Sequence, residues 1–148
     1  IGCGTGVFSF PMAQRVPEGK VYCLDIAEEM LERVRKKVID NKVSNVEVKR
    51  CEEMDFGLEP GSVDGAFMAF VLHEQEDRVA FLKAVSSLLK KRGWVGVLEW
   101  VKKEMSEGPP LNERIDPAEA GELAGKAGLK VSANKALGDK FYMVVLTR

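Results

Sequence analysis

Three times along the 148-residue chain a short apolar run gives way to a stretch with helical spacing, and that alternation limits the fold more than any other feature. "VYCL" at 21–24 is followed by Ile26, Met30, Leu31, Val34 and Val38 within 26–42. "SVDGAFMAFVL" at 62–72 precedes Val79, Leu82, Val85 and Leu89, and "WVGVLEW" at 94–100 precedes a stretch opening at Asp116. Apolar residues three and four apart line one helix face, whereas a short continuous run suits a strand buried on both sides. "VEVK" at 46–49 supplies a further strand. Strands alternating with helices build right-handed crossovers and a parallel sheet.

The boundaries carry their own chemistry. Glu28 and Glu29 in a first turn, with Arg35, Lys36 and Lys37 further along, match the helix dipole. Gly93 is expected to stop the helix after 62–72. Asp116, Pro117 and Glu119 give an N-cap, a proline at the first helical position and an acid at the third, and Gly128 closes that helix. "LKVSANKAL" and "FYMVVLTR" flank the turn "GDK", which reads as a hairpin. The fold class expected is α/β: a doubly wound Rossmann-like sheet, mostly parallel with a C-terminal antiparallel hairpin strand. Residues 1–148 are read as a single domain. In such sheets ligands bind beyond the carboxyl ends of the strands.

Composition excludes more than it selects. Lys and Arg total 22 against 23 Asp and Glu, so no net charge steers the chain toward nucleic acid or an anionic membrane. No apolar run approaches the ~20 residues of a membrane span. Cys3, Cys23 and Cys51 are odd in number and far apart, which fits neither a disulfide framework nor a zinc spacing. A reduced, cytoplasmic setting and no metal are expected.

The chain opens on "IGCGTGVFSF", three glycines in five residues directly before a helix. A strand-to-helix turn stripped of side chains brings backbone close to a ligand and aims a helix N-terminus at negative charge. Dinucleotide sites use G-x-G-x-x-G, but here the third glycine comes early, at Gly6, and Val7 holds the dinucleotide position. Asp25 ends the next strand, nineteen residues after Gly6. An acid there can accept hydrogen bonds from both ribose hydroxyls, which points to an adenosine-containing ligand without a 2′-phosphate. A buried acid without such a partner is costly.

"IGCGTG", followed by "VYCLDIAEEML", resembles the first two motifs of class I S-adenosylmethionine-dependent methyltransferases, and "SVDGAFMAFVLHE" resembles that family's fourth-strand motif. The similarity covers nearly the whole chain and is nearest to the small-molecule enzymes of the ubiquinone/menaquinone-biosynthesis type. It implies an S-adenosyl-L-methionine cofactor and a small-molecule methyl acceptor. Gly2, Gly4 and Gly6 would line the cofactor's methionine part, Asp25 would hold its ribose, and Ile26 would pack on its adenine. Ala69 and Phe70 would lie near its methionine end and sulfonium. The residue that reads the adenine amino group falls by register on Arg50, which cannot accept a hydrogen bond, so Cys51 and Glu52 become the candidates. The family also carries an acid at the end of a first, central strand. Both would precede Ile1, so the sequence reads as N-terminally incomplete, its first strand largely missing.

Methyl transfer demands in-line positioning more than proton chemistry, and a base is needed only where the acceptor must lose a proton. His73, the one histidine, follows the fourth-strand motif and could be that base, or could cap its loop or pack beside the cofactor. Glu74 and Glu99 carry the same two readings, catalytic carboxylate or solvated loop and strand-end acid. "SEGPPLNER", with Arg114, is the acceptor-facing loop or an ordinary surface excursion. The cysteines suit small core positions, with Cys3 in the cofactor loop open to modification. Two other functions stay in view. An NAD-dependent Rossmann oxidoreductase has the wrong glycine spacing here, and neither Tyr22 nor Tyr142 forms a Tyr–Lys pair at catalytic spacing. A non-catalytic S-adenosylmethionine-binding module would keep the pocket without a base.

Overall fold

A computed structural model describes residues 1–148, which divide into two compact units, Ile1–Gly57 and Leu58–Arg148.

In the first unit, α1 (Ser9–Arg15) is followed by β1 (Val21–Asp25), α2 (Glu28–Asp40) and β2 (Val46–Arg50). The two strands pair in parallel from Val21↔Val46 to Asp25↔Arg50. Cys23 and Leu24 on β1 are buried with Leu31 and Val34 of α2, the residues that the helical spacing put on one face. The opposite face carries Glu29–Arg33 and Lys36–Asp40 pairs at 2.7 and 3.0 Å. Exposed pairs of this kind add only a few tenths of a kcal/mol each. α2 begins at Glu28, because Ala27 is extended, so Ile26 lies outside the helix and is 60% exposed. Gly6, at φ +83°, sits so close to Phe10 that an added Cβ would lie 2.7 Å from the ring. Gly6→Ala is therefore expected to cost about 2–3 kcal/mol, left-handed strain plus overpacking, read as a lowered urea midpoint. A midpoint equal to the parent's would refute the close contact.

In the second unit, β3 (Val63–Ala69) leads through a turn of 3-10 helix (Leu72–Glu74) into α3 (Arg78–Leu88), then β4 (Leu89–Trp100), α4 (Pro117–Lys126), β5 (Lys130–Leu137) and β6 (Phe141–Thr147). The strand order is β3-β4-β6-β5. β3 and β4 are parallel, whereas β6 runs antiparallel to both β4 and β5. Phe81, Leu82 and Val85 of α3, Ala120 and Ala124 of α4, and Val95, Val97, Val144 and Leu146 of the sheet are buried. Asp77 and Asp116 cap α3 and α4 by accepting from the Ala80 and Glu119 amides, both at 2.8 Å. The N-cap read from Asp116 is thus present, as is the hairpin across 138–140.

One expectation needs correction. α3 stops at Leu88, five residues before Gly93, and β4 starts at Leu89. Leu89 is extended and pairs with Val63, the register then shifts before Gly65↔Trp94, and Lys90 reaches across to the Asp64 carboxylate. A basic run, Lys90–Arg92, suits an exposed bulged strand better than a last helical turn facing a core. The strands hydrogen-bond as two sheets, β1 with β2 and β3 with β4, β6 and β5, and the α/β class with its C-terminal antiparallel hairpin is as expected.

Candidate functional site

In the first unit the glycine turn is built around one carboxylate. The Cys3 amide donates to the Leu24 carbonyl and the Gly6 amide to the Cys3 carbonyl, each at 2.9 Å, which lays the turn beside the carboxyl end of β1. Gly2, Gly4 and Gly6 all take positive φ, +60°, +49° and +83°. The Gly4 amide donates to Asp25 Oδ2 at 2.8 Å and the Ala27 amide to Oδ1 at 3.0 Å. Asp25 is 9% exposed, and these two bonds compensate its burial. A carboxylate has about four acceptor positions, so two remain for a ligand's hydroxyls. An added Cβ at Gly4 would meet nothing within 4 Å, so space is open above the turn. Ile26, apolar and exposed, follows Asp25 directly. Free carboxylate lone pairs, bare backbone and an apolar shelf fit the ribose, amino-acid tail and base of the S-adenosylmethionine implied above.

The other expected contacts separate by role. Gly6 closes on Phe10, so its bareness serves the turn itself. Cys51 is 7% exposed, its amide donates to the Asp25 carbonyl at 3.1 Å, and burial pushes its thiol upward in pKa. Glu52 is exposed, with its amide bound to the Asp55 carbonyl at 2.9 Å. The Cys3 thiol donates to the Gly4 carbonyl at 3.7 Å, and the closeness of the Cys3 and Cys23 thiols raises the pKa of the first and lowers that of the second.

In the second unit β3 ends at Ala69, and Phe70 turns left-handed at φ +61°, its amide donating to the Leu98 carbonyl at 2.9 Å. Such a φ is uncommon for a bulky residue. The Phe70 ring joins those of Trp100 and Phe141 at centroid separations of 5.5 and 5.3 Å, and the latter two are 4.7 Å apart. Beside this turn, His73 Nδ1 donates to Glu99 Oε2 at 2.8 Å and the His73 amide to Glu99 Oε1 at 3.2 Å. Glu99 is 1% and His73 8% exposed. The hydrogen bond to Glu99 raises the His73 pKa above its ordinary value, against the opposing effect of burial. Arg78 donates to the His73 carbonyl at 3.0 Å and to the Glu113 carbonyl at 3.1 Å. The Tyr142 hydroxyl donates to the Ile115 carbonyl at 2.6 Å, and burial raises its pKa. Glu74 is exposed, a solvated loop acid.

Arg114 does not face an acceptor. It is 3% exposed and donates to the carbonyls of Pro109, Val101, Lys103 and Glu107, with its guanidinium 5.6 Å from the Trp100 ring centroid. Its charge holds the 101–116 segment folded on itself. Sequence reasoning missed this, along with the aromatic trio and the His73–Glu99 bond. The signal for the last was present: His73 follows β3, Glu99 is the penultimate residue of β4, and Ala69 pairs with Leu98 in the parallel register.

A bare turn governed by the acid that ends the next strand, in the first unit, and a parallel strand pair closed by a reversed hairpin, in the second, are the features of an α/β fold of the methyltransferase kind. Comparison with known proteins agrees: residues 1–93 match the methyltransferase domain family, and the chain belongs to it. A crystal structure of an S-adenosylmethionine-dependent methyltransferase from Aquifex aeolicus superposes with a TM-score of 0.93 at 32% identity, covering 99% of this chain and 78% of that one. The demethylmenaquinone methyltransferase of Lactococcus lactis subsp. lactis (strain IL1403) is 34% identical over 98 residues, 66% of this chain and 39% of that protein. The chain thus spans about two fifths of that relative's length. The [4+2]-cyclase SpnF, at 15% identity and a TM-score of 0.86 over 99% of this chain and 72% of that one, shares the fold alone.

Proposed function

We propose that the chain is an S-adenosylmethionine-dependent methyltransferase acting on a small molecule. The observation that carries this reading is Asp25, buried and bonded to Gly4 and Ala27, with acceptor capacity left for a sugar diol beneath an open glycine turn. Fold alone would not suffice, since a cyclase shares it. Family membership supplies the second support.

In this proposal the backbone of Gly2, Gly4 and Gly6 lines the methionine part, Asp25 orients the ribose, Ile26 covers one side of the adenine, and Cys51 and Glu52 flank its edge. When bound, the cofactor supplies a methyl carbon activated by the adjacent sulfonium. Ala69 and Phe70, at the end of β3, are the cofactor-binding candidates of the second unit. His73 is the candidate base, with Nδ1 bonded to Glu99. Residues 1–148 act as one methyltransferase domain. The relatives' names make quinone-type rings the first acceptors to try. A cytoplasmic setting belongs to the same proposal: all three cysteines are free thiols, as a reducing compartment keeps them, and no helix is long and apolar enough to cross a membrane.

Calorimetric titration with S-adenosylhomocysteine and with NAD tests the assignment. Saturable binding of the former at one per chain, and none of the latter, is the expected result. NAD binding without S-adenosylhomocysteine binding would sink it and restore the oxidoreductase reading.

A further inference from the structure

The geometry points to Glu99 as the positioning residue that fixes the proton of neutral His73 on Nδ1 and so presents Nε2 as a proton acceptor. The inference rests on the methyltransferase reading and adds to it a class of acceptor: one that must shed a proton as it is methylated, such as a phenol, an enol or a carbon acid. Amine and thiolate acceptors need no such group.

The argument starts from the donors around Glu99. A carboxylate only accepts, so both groups bonded to it must donate. The His73 amide occupies Oε1 at 3.2 Å and Nδ1 occupies Oε2 at 2.8 Å, so Nδ1 carries hydrogen in either charge state. The neutral ring then has its lone pair on Nε2, which takes part in none of the hydrogen bonds of the structure. A histidine serving only to cap its loop needs no buried carboxylate behind it. Glu99 is 1% exposed, and placing that charge there is costly unless the ring repays it. Arg78 from α3 anchors the backbone by donating to the His73 carbonyl at 3.0 Å, so the ring is fixed from two sides.

The groups that act on the imidazole come from several elements. Glu99 on β4 dominates, with Glu74 on the turn and Glu113 in the 101–116 segment adding to it, and burial opposes them. The Arg78 guanidinium lies on the His73 carbonyl, and the Tyr142 hydroxyl is engaged with Ile115. Together the acids favour imidazolium, which moves formation of the neutral base toward higher pH. At the acceptor, an O–H or C–H would give its proton to Nε2 while the freed electron pair bonds the methyl carbon. The carbon–sulfur bond of the sulfonium would break with its pair left on sulfur as the departing neutral thioether, and the resulting imidazolium would be stabilised by Glu99. The proton then leaves to solvent and the ring returns to the Nδ1–H form.

His73 is the only histidine in the chain, so its ring nitrogens can be observed without assignment by mutagenesis. Nitrogen-15 spectra of the intact protein across pH should show a neutral form protonated at Nδ1 and a titration midpoint above the ordinary ~6.5. A neutral form protonated at Nε2 in the parent protein overturns the inference, whether or not any variant folds. In Glu99→Gln the side-chain oxygen can still accept from the His73 amide, but its NH2 must then donate to Nδ1. The proton is thereby forced onto Nε2, and the midpoint should fall back. Transfer of label from tritiated S-adenosylmethionine to a small-molecule metabolite extract should drop about a hundredfold in this variant, the order expected for a lost general base. S-adenosylhomocysteine affinity should hold within about twofold, since no residue of the glycine turn changes. Equal labelling by parent and variant would make the pair structural and overturn the inference. Failure to bind S-adenosylhomocysteine would instead overturn the methyltransferase reading, and the nitrogen spectra would still judge the tautomer.

Discussion

Asp25→Asn is expected to weaken S-adenosylhomocysteine binding about a hundredfold and to destabilise the chain by about 2 kcal/mol, because two amide donors depend on one carboxylate. Asparagine preserves the volume of the side chain and one accepting oxygen. Its NH2 must replace the other oxygen, and so faces either the Gly4 or the Ala27 amide, now bonded to Oδ2 and Oδ1. Donor against donor in a site only 9% exposed cannot be relieved by water at little cost. The turn is then free to leave the end of β1 on that side, while the Cys3 to Leu24 bond still holds it on the other. A ligand's hydroxyls lose a charged acceptor at the same time. Calorimetric titration reads the first effect and a urea melt the second. If affinity stays within threefold of the parent while the protein remains folded, Asp25 has no place in the ligand site.

Asp25 also shows what was legible in the sequence and what was not. Its position after "VYCL" marks it as a strand-end acid, because apolar runs and helical spacing are local patterns that survive in one dimension. That the same side chain would tie down Gly4 was not legible, since the bond spans twenty-one residues and depends on where the turn passes. The hairpin and the α4 cap were readable for the same local reason: their chemistry lies within a few neighbouring residues. The end of α3 was misplaced because Gly93 looks like a helix stop, whereas pairing of Leu89 with Val63 had already claimed the chain for a strand. His73 and Glu99 were each noticed, and only the parallel register of β3 with β4 brings them together. A ligand-facing role for Arg114 failed on the same ground, because nothing in "LNER" reveals four carbonyls waiting in a folded loop.

That arginine carries the other large effect. Arg114→Met keeps a long apolar stem against the Trp100 ring and removes every donor. The carbonyls of Pro109, Val101, Lys103 and Glu107, now reached at 2.8, 3.2, 2.8 and 2.7 Å, would be left without the guanidinium. Hydrogen bonds to a charged group contribute roughly 1.5–3 kcal/mol each, but the segment can recover part of that by opening to water. A net loss of about 3 kcal/mol is expected, together with faster thermolysin cleavage within 101–116. Arg114→Lys should restore only a fraction, since one ammonium cannot span four acceptors spread along the segment. S-adenosylhomocysteine affinity should be unaffected, because the residues assigned to that ligand's ribose and tail hold one another through bonds within 1–57. An unchanged urea midpoint and cleavage rate would show that the segment is held by its own turns and its packing on Trp100, with the buried charge contributing little.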